Sequence, residues 1–437
     1  MNVFIVASVC ASVLLALCGL GWVCNWRSRG SQVQTLGIAN PIASNIVVNH
    51  HPAPSTLKRV IVYSRHGIRT PSRKFDKGFP THARMPSPMD LTARGYALAR
   101  GMGRYYAAYY NSLLAACPRV SLVADTKERD EQTAAALLQD MVAVSYRIHE
   151  STRTHAMFHP TLAPPCTVPP TASKTAMQGY LGMSIDAFLH TSWFQFRQRK
   201  LVRMLQEAGH MVPPPLSSFA STEGQLEHTM ALANLYSESF LLETENRPLP
   251  FDLVPQTDLR LLNEIHSVLR EVNDRPFYLA QHKGSGVVAR ILEILTSPHS
   301  PSVYMIVGHD KDMGATASLL GLAWQLPGFA ANQIPPASAL VFEIHQHEDK
   351  PHEAGWVEVY MVSQTMSQMK ELQMADTKAG RPLRVPVYIR SSSPFETLEQ
   401  SHRFANSANS TTNRILLSDW EALINQRLLP SCVPQRH

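Results

Sequence analysis

After an apolar opening, the chain shows no regular hydrophobic pattern until Arg59-Val60-Ile61-Val62-Tyr63. This short β-branched run predicts a buried strand that hands over to Ser64-Arg65-His66-Gly67. Asp90-Leu91-Thr92 opens a helix whose apolar and aromatic positions continue to about Tyr110. Val120 to Ala124 gives a second strand ending at Asp125, and Asp130 to Met141 a helix with Ala134 to Leu138 on its apolar side. Between about 144 and 258, Pro-rich segments separate two helical patterns, roughly Ser192 to Ala208 and Glu223 to Thr244, with no obvious strand. That stretch reads as a helical insert. A helix from about Asp258 to Val272 returns the chain to an α/β pattern: strand Phe277 to Ala280, helix Ser285 to Leu295, strand Val303 to Val307. Ala339 to His345 and Trp356 to Val362 alternate as a strand pair, and no internal repeat is present.

The front of the chain has a different character. Val3 to Val23 runs 21 residues without a charge, long enough to span a bilayer as a helix. A cleaved signal peptide is the rival, since Ala16-Leu17-Cys18 is roughly A-x-A-like, and a buried core helix is the plain alternative. Arg27 and Arg29 follow, and the positive-inside rule would place them in the cytoplasm, against an extracytoplasmic domain. From Gly30 to Leu57 there is no Asp, Glu, Lys or Arg, so residues 27–57 read as a tether. His50-His51 within it lacks ligand spacing. The parts are then a signal peptide or anchor (1–26), the linker, an α/β core (58–143 and 259–400), the helical insert (144–258) and a polar C-terminal segment (401–437).

Composition sets limits on partners. Lys plus Arg number 40 against 34 Asp plus Glu, a net +6, and 19 His would add charge in an acidic compartment. The balance suits anionic ligands and is too scattered for nucleic acid. Apart from Cys10, Cys18 and Cys24, which sit in or beside the apolar run, only Cys117, Cys166 and Cys432 remain, allowing at most one disulfide and one free thiol whose pairing stays open. Cys24, beside basic residues, is a palmitoylation candidate or an unmodified thiol. Asn409-Ser410-Thr411 is a glycosylation sequon at Asn409, in keeping with a secretory route.

Chemistry concentrates at two strand ends. In Arg65-His66-Gly67-Ile68-Arg69-Thr70-Pro71, two arginines flank one histidine, and Gly67 is expected to let the backbone turn so that the three side chains converge. A neutral imidazole beside guanidinium forks suits nucleophilic attack on a phosphate monoester, because the oxyanion charge must be offset before a nucleophile approaches. A basic turn pairing with surface carboxylates is the bland alternative. Val307-Gly308-His309-Asp310 ends another buried strand, and a carboxylic acid opposite a nucleophile would protonate an alkoxide leaving group. Taken alone, that pair is also compatible with an N-cap Asp and a core His.

The seven-residue string resembles the RHGxRxP signature of the histidine phosphatase superfamily, in the form of its acid phosphatase and phytase branch. The resemblance spans about 59 to 345 with gaps. It implies that His66 is phosphorylated in turnover, that Arg65 and Arg69 hold the phosphate, and that His309 is a phosphate ligand beside the proton donor Asp310. Ala124-Asp125-Thr126-Lys127-Glu128-Arg129 is similar to the branch's second-strand element and nominates Arg129 as third clamp, with Lys127 as the neighbour to confuse with it. Leu91-Thr92-Ala93-Arg94-Gly95 resembles the branch's LTxxG, a packing element. Arg73 and Lys74, just past the signature, stand at the substrate rim, either to grip a second phosphate or as a solvated loop.

Gly284-Ser285-Gly286-Val287-Val288-Ala289 fits G-x-G-x-x-A between a strand-like run and a helix, the outline of a dinucleotide site. It lacks the first-strand position, and its glycines have a packing explanation. The reading is an α/β fold, a mixed central sheet flanked by helices on both faces with an inserted, mainly helical cap. The expected function is acid phosphatase activity through a phosphohistidine; a phytase-like inositol polyphosphate phosphatase and a non-catalytic binding protein of the same fold are the alternatives. No cofactor or metal is expected, because arginines supply the charge that Mg²⁺ supplies elsewhere. Expected partners are a phosphate monoester and, if residues 3–23 are uncleaved, a membrane, with a homodimer allowed. The expected location is the secretory pathway: anchored at the cell surface or in an acidic lumen, or secreted after cleavage.

Overall fold

The computed structural model describes residues 57–70, 89–116, 119–140, 145–148, 157–162, 166–207, 260–297, 300–347, 355–390, 397–405 and 413–434. The apolar opening, the linker, Arg73, Lys74, the pattern at Glu223 to Thr244, Cys117 and Asn409 lie outside them. Among the described residues no helix is long and apolar enough to cross a membrane.

The first strand, β1 (Leu57–Arg65), has both faces buried, as its unbroken apolar run requires. It pairs in parallel with β4 (Val303–Gly308), and β4 in parallel with β2 (Arg119–Ala124). A short β3 (Ser145–Ile148) extends that parallel half beyond β2. On its other side β1 meets β6 (Ala339–His345) antiparallel, then β7 (Trp356–Ser363), which carries β8 (Leu383–Pro386) and β10 (Arg414–Leu416). The result is an eight-stranded mixed sheet, and β5 (Leu322–Ala323) and β9 (Tyr388–Ile389) form a separate two-stranded antiparallel sheet.

The period of two along each strand divides the core. Val60, Val62, Leu122, Met305 and Val341 face one side, where α1 (Ala93–Tyr109) and α2 (Glu128–Leu138) cover them. Ile61, Tyr63, Val123, Ile306 and Phe342 face the other, under α5 (Arg260–Asp274), α6 (Phe277–Thr296) and α7 (Asp310–Leu319). Two helices of the insert, α3 (Pro170–Leu181) and α4 (Ser192–Glu207), pack on that second side through Met177, Leu181 and Phe194. The mixed sheet with helices on both faces is the α/β fold expected.

Three expectations need correction. Phe277 to Ala280 is the first turn of α6, a buried 20-residue helix behind Pro276, and not a strand. Four apolar residues cannot tell a strand from a buried helix start. Gly284 and Gly286 therefore lie inside a helix, where an added Cβ at Gly286 would stand 2.6 Å from the Met157 carbonyl oxygen. They serve packing, and the dinucleotide outline dissolves. The insert's leading edge holds β3, so the sheet continues past residue 144. The segment 401–437 is not merely polar: β10 joins the sheet, and α8 (Leu417–Arg427) buries Trp420 and Ile424. Trp420, Leu423 and Ile424 form a helical stripe that polar residues before it conceal in an average. A disulfide joins Cys166 to Cys432 over a separation of 266 residues, tying this tail to the insert.

Candidate active site

Strand register assembles the site. Arg65 pairs with Gly308 and Ala124 with Val307, so three carboxyl ends lie side by side. The ladder runs one residue further: the amide of His66 donates to the Gly308 carbonyl at 2.9 Å, and that of Asp125 to the Val307 carbonyl at 2.9 Å. His66, Asp125 and His309 are thereby neighbours, as the carboxyl edge of a parallel sheet predicts. The rings of His66 and His309 stand 5.2 Å apart, edge to face.

The loop after β1 is held by packing. The Gly67 amide donates to Thr133 Oγ1 of α2 at 3.0 Å, and Thr133 donates to the Arg129 carbonyl at 2.7 Å. Gly67 is not in the left-handed region, so it is not a sharp turn that requires glycine here. A Cβ would meet the Gly95 carbonyl oxygen and Leu91 Cδ1, each at 2.9 Å. Gly95 is tighter still, with the Ile68 oxygen 2.2 Å from its absent Cβ. Thr92 caps α1 by accepting from the Gly95 amide at 2.9 Å, while its own amide bonds the Ile68 carbonyl. The Leu-Thr-x-x-Gly element thus packs the signature loop into place.

His66 is buried, and its Nδ1 lies 2.7 Å from the Gly67 carbonyl, so that nitrogen carries the proton and Nε2 keeps the lone pair. Burial, then the positive charges of Arg65, His309, Arg129 and Arg69, hold its pKa well below the usual imidazole value. A neutral imidazole results. Arg65 spans the site: Nη1 donates to the Ile334 carbonyl at 2.7 Å and Nη2 stands 3.2 Å from Asp310 Oδ2. Arg69 is half-buried at the loop's end, its Nη1 on the Thr70 carbonyl at 3.0 Å. Arg129, in the first turn of α2, is buried with Nη2 3.4 Å from His309 Nδ1, and its buried Nε meets no hydrogen-bond partner among the described residues. Lys127 is exposed at the helix cap, which settles the choice between the two cations.

The structure adds residues that the motifs did not reveal. Asp125, fully buried, accepts from His309 Nε2 at 2.7 Å, from His159 Nε2 at 2.9 Å and from the Thr126 amide at 2.8 Å. Burial works to raise its carboxyl, but the two imidazoles outweigh burial and keep it ionised. Burial lowers the pKa of His309, and its Nδ1 faces Arg129 Nη2, which can only donate. Asp130 lies beside them, 3.4 Å from His309 Nε2, and burial pushes its carboxyl up to about 8. Asp310 opens α7, with Oδ1 on the Lys311 amide at 2.9 Å. Its burial is overcome by the charge of Arg65, then by His266 and Arg270, so the carboxyl sits well below its usual range. Adjacency of Asp125 to the second strand was a usable signal; His159 and His266, on distant segments, gave none.

Three guanidiniums against two ionised carboxylates leave this cleft positive, and it favours an anion. For that reason the nearby imidazoles of His66 and His309 and the Asp130 carboxyl, with ligand atoms within 4.8 Å, are not read as metal ligands.

Known proteins share this fold. Residues 256–362 match the family described as histidine phosphatase superfamily, branch 2. The phytase AppA of Escherichia coli (strain K12) is 25% identical over 367 residues, 72% of this chain and 82% of that protein. The Hafnia alvei phytase in complex with tartrate superposes with a TM-score of 0.70 at 23% identity, covering 88% of this chain and 100% of its own. The Citrobacter braakii phytase gives 0.69 at 20% identity, with 87% and 100% covered.

Proposed function

The chain belongs to the histidine phosphatase superfamily, branch 2, and from that premise we propose how its residues hydrolyse a phosphate monoester. The protein is a phosphoric monoester hydrolase. The observation that carries the residue assignment is the convergence of His66, three arginines, His309 and Asp310 at adjoining strand ends.

Phosphate enters with its oxygens toward Arg65, Arg69, Arg129 and His309. His66 Nε2 attacks phosphorus while the bond to the leaving oxygen breaks and that oxygen takes a proton from Asp310. Water then attacks the phosphohistidine, Asp310 accepts its proton, and inorganic phosphate leaves. Asp310 beside Arg65 is ionised and must be protonated for the first step. A bound phosphate draws Arg65 to itself and weakens its hold on Asp310, and acid pH completes the protonation. Activity is therefore expected to fall as pH rises toward neutrality.

The deciding experiment is hydrolysis of p-nitrophenyl phosphate by the full chain, with and without chelator, beside His66→Ala. Loss of at least about a thousandfold in the variant is expected, with no effect of chelator. Activity that survives the substitution or vanishes with chelator refutes the mechanism.

The relative named a phytase favours a second reading, in which inositol polyphosphates are the substrate and Arg73 and Lys74 grip a further phosphate. Arg73→Ala would then weaken inositol hexakisphosphate hydrolysis more than that of a monophosphate. We further infer a secretory or membrane-anchored location. The disulfide between Cys166 and Cys432 suits an oxidising compartment, and the charge-free run Val3 to Val23 supplies either a signal or an anchor. A protein tagged at its C-terminus that remains in the cytosol would contradict it.

A further inference from the structure

We propose that His266 is a positioning residue for the proton donor, holding Asp310 in place and storing the proton that Asp310 delivers. This rests on the phosphomonoesterase reading above and deepens it.

His266 is 6% exposed on α5, the first described helix after the insert, and reaches the first turn of α7. Its Nε2 stands 3.5 Å from Asp310 Oδ2. The other carboxylate oxygen, Oδ1, is occupied by the Lys311 amide, so Oδ2 is the oxygen that must carry the proton. Oδ2 is shared with Arg65 at 3.2 Å, and a guanidinium does not give up its proton in the working range. Imidazole does.

The remaining charges around the pair are committed elsewhere or have the wrong sign. Arg65 on β1, Arg129 on α2 and Arg270 on α5 act on Asp310 as fixed cations. Of the carboxylates on α5, Glu264 meets Arg197 of α4 at 2.8 Å, Glu271 meets His402 at 2.6 Å, and Asp274 meets Lys283 of α6 at 2.9 Å. On α7, Asp312 is buried and its carboxyl raised by that burial, and Lys311 is a further cation. Asp310 is the acid that His266 meets at ion-pair distance.

One proton then serves both half-reactions. As the P–O bond breaks and His66 bonds phosphorus, the His266 imidazolium passes its proton to Asp310 and Asp310 delivers it to the leaving oxygen, which leaves a neutral imidazole beside an ionised carboxylate. In the second half water attacks phosphorus, the P–N bond breaks, and the water's proton returns to Asp310 and on to His266. The pair keeps its last proton to higher pH than an isolated Asp310 beside Arg65.

The test is the pH dependence of kcat for the full chain, wild type and His266→Gln, on glycerol 2-phosphate and on p-nitrophenyl phosphate. The alkyl ester needs a proton at its leaving oxygen, and the nitrophenolate hardly does. For His266→Gln the basic limb on the alkyl ester should move to lower pH by on the order of one unit or more. Its kcat near pH 6 should fall about ten- to a hundredfold, against less than about threefold on the aryl ester. Added imidazole should restore part of the alkyl rate to His266→Ala. Equal losses on both esters with an unmoved limb overturn the proposal, as does an unchanged His266→Gln. If either variant fails to fold, the folded one decides, and His266→Asn replaces both should neither fold. Trapping phosphate on His66 separates the failures: without phosphohistidine in the wild type the underlying reading falls, whereas a normal phosphoenzyme with an unmoved profile sinks this inference alone.

Discussion

The sheet buries two clusters of histidine, carboxylate and arginine, one on each half, and they use the same residue types to opposite ends. On the antiparallel half, Glu343 and Glu358 stand directly opposite each other in the β6–β7 ladder, a like-charge pairing that costs stability by itself. Arg384 answers Glu343 at 2.9 Å and Arg414 answers Glu358 at 2.7 Å, while Tyr110 and Tyr360 donate their hydroxyls at 2.8 Å each. His345 lies between them, 3.5 Å from Glu343 and 4.0 Å from Glu358. Charge there is closed on itself. On the parallel half, Arg65, Arg69 and Arg129 outnumber the ionised Asp125 and Asp310, and the excess awaits an anion. A buried charge cluster is a structural element when its ledger balances internally and a site when an outside group must complete it.

Removing one partner from each cluster should separate the two. Arg384→Ala leaves Glu343 buried and uncompensated, and should cost about 3–5 kcal/mol of stability, read as a lowered denaturation midpoint, with kcat of the folded protein unchanged. Arg129→Ala should do the reverse, lowering kcat/KM about a hundred- to a thousandfold with an unmoved or raised midpoint. A variant at Arg129 that unfolds the protein, or one at Arg384 that spares it, would erase the distinction.

Inorganic phosphate offers a gentler probe. At a hundred times its Kd it should stabilise the wild type by about 2.7 kcal/mol, and Arg129→Ala should lose most of that gain while Arg384→Ala keeps it. The smallest effect concerns Asp130. Its carboxyl is raised to about 8 by burial, so between about pH 4 and 8 the folded protein holds a proton that the unfolded chain has released. Its contribution to stability declines as pH rises through that window. Asp130→Asn should raise the midpoint at pH 8 and leave it unchanged near pH 4; a gain that is independent of pH would contradict the assignment.

Much of this was legible along the chain because it is local. A β-branched run predicts β1 wherever it lies, and Thr92 three residues before Gly95 caps a helix by its own geometry. The signature Arg65 to Pro71 carries three site residues within five positions, and His309-Asp310 two more. What escaped was either ambiguous in a short window, as with Phe277 to Ala280 and β3, or dispersed. Trp420 was hidden behind a polar stretch, and the partner of Cys166 was one of two equivalent candidates.

By itself the sequence determined the class of chemistry, because the proposed nucleophile, two of the three arginines and the proposed proton donor are written in two short strings at the ends of predictable strands. Tertiary structure alone decided their environment. Register across β1, β4 and β2 brings His309, 243 residues further along, beside His66, and packing puts Asp125, Asp130, His159 and His266 around them. Those neighbours set which imidazole is neutral and which carboxyl is charged, since a pKa depends on burial and on charges a few ångströms away in space, and neither is a property of position along the chain.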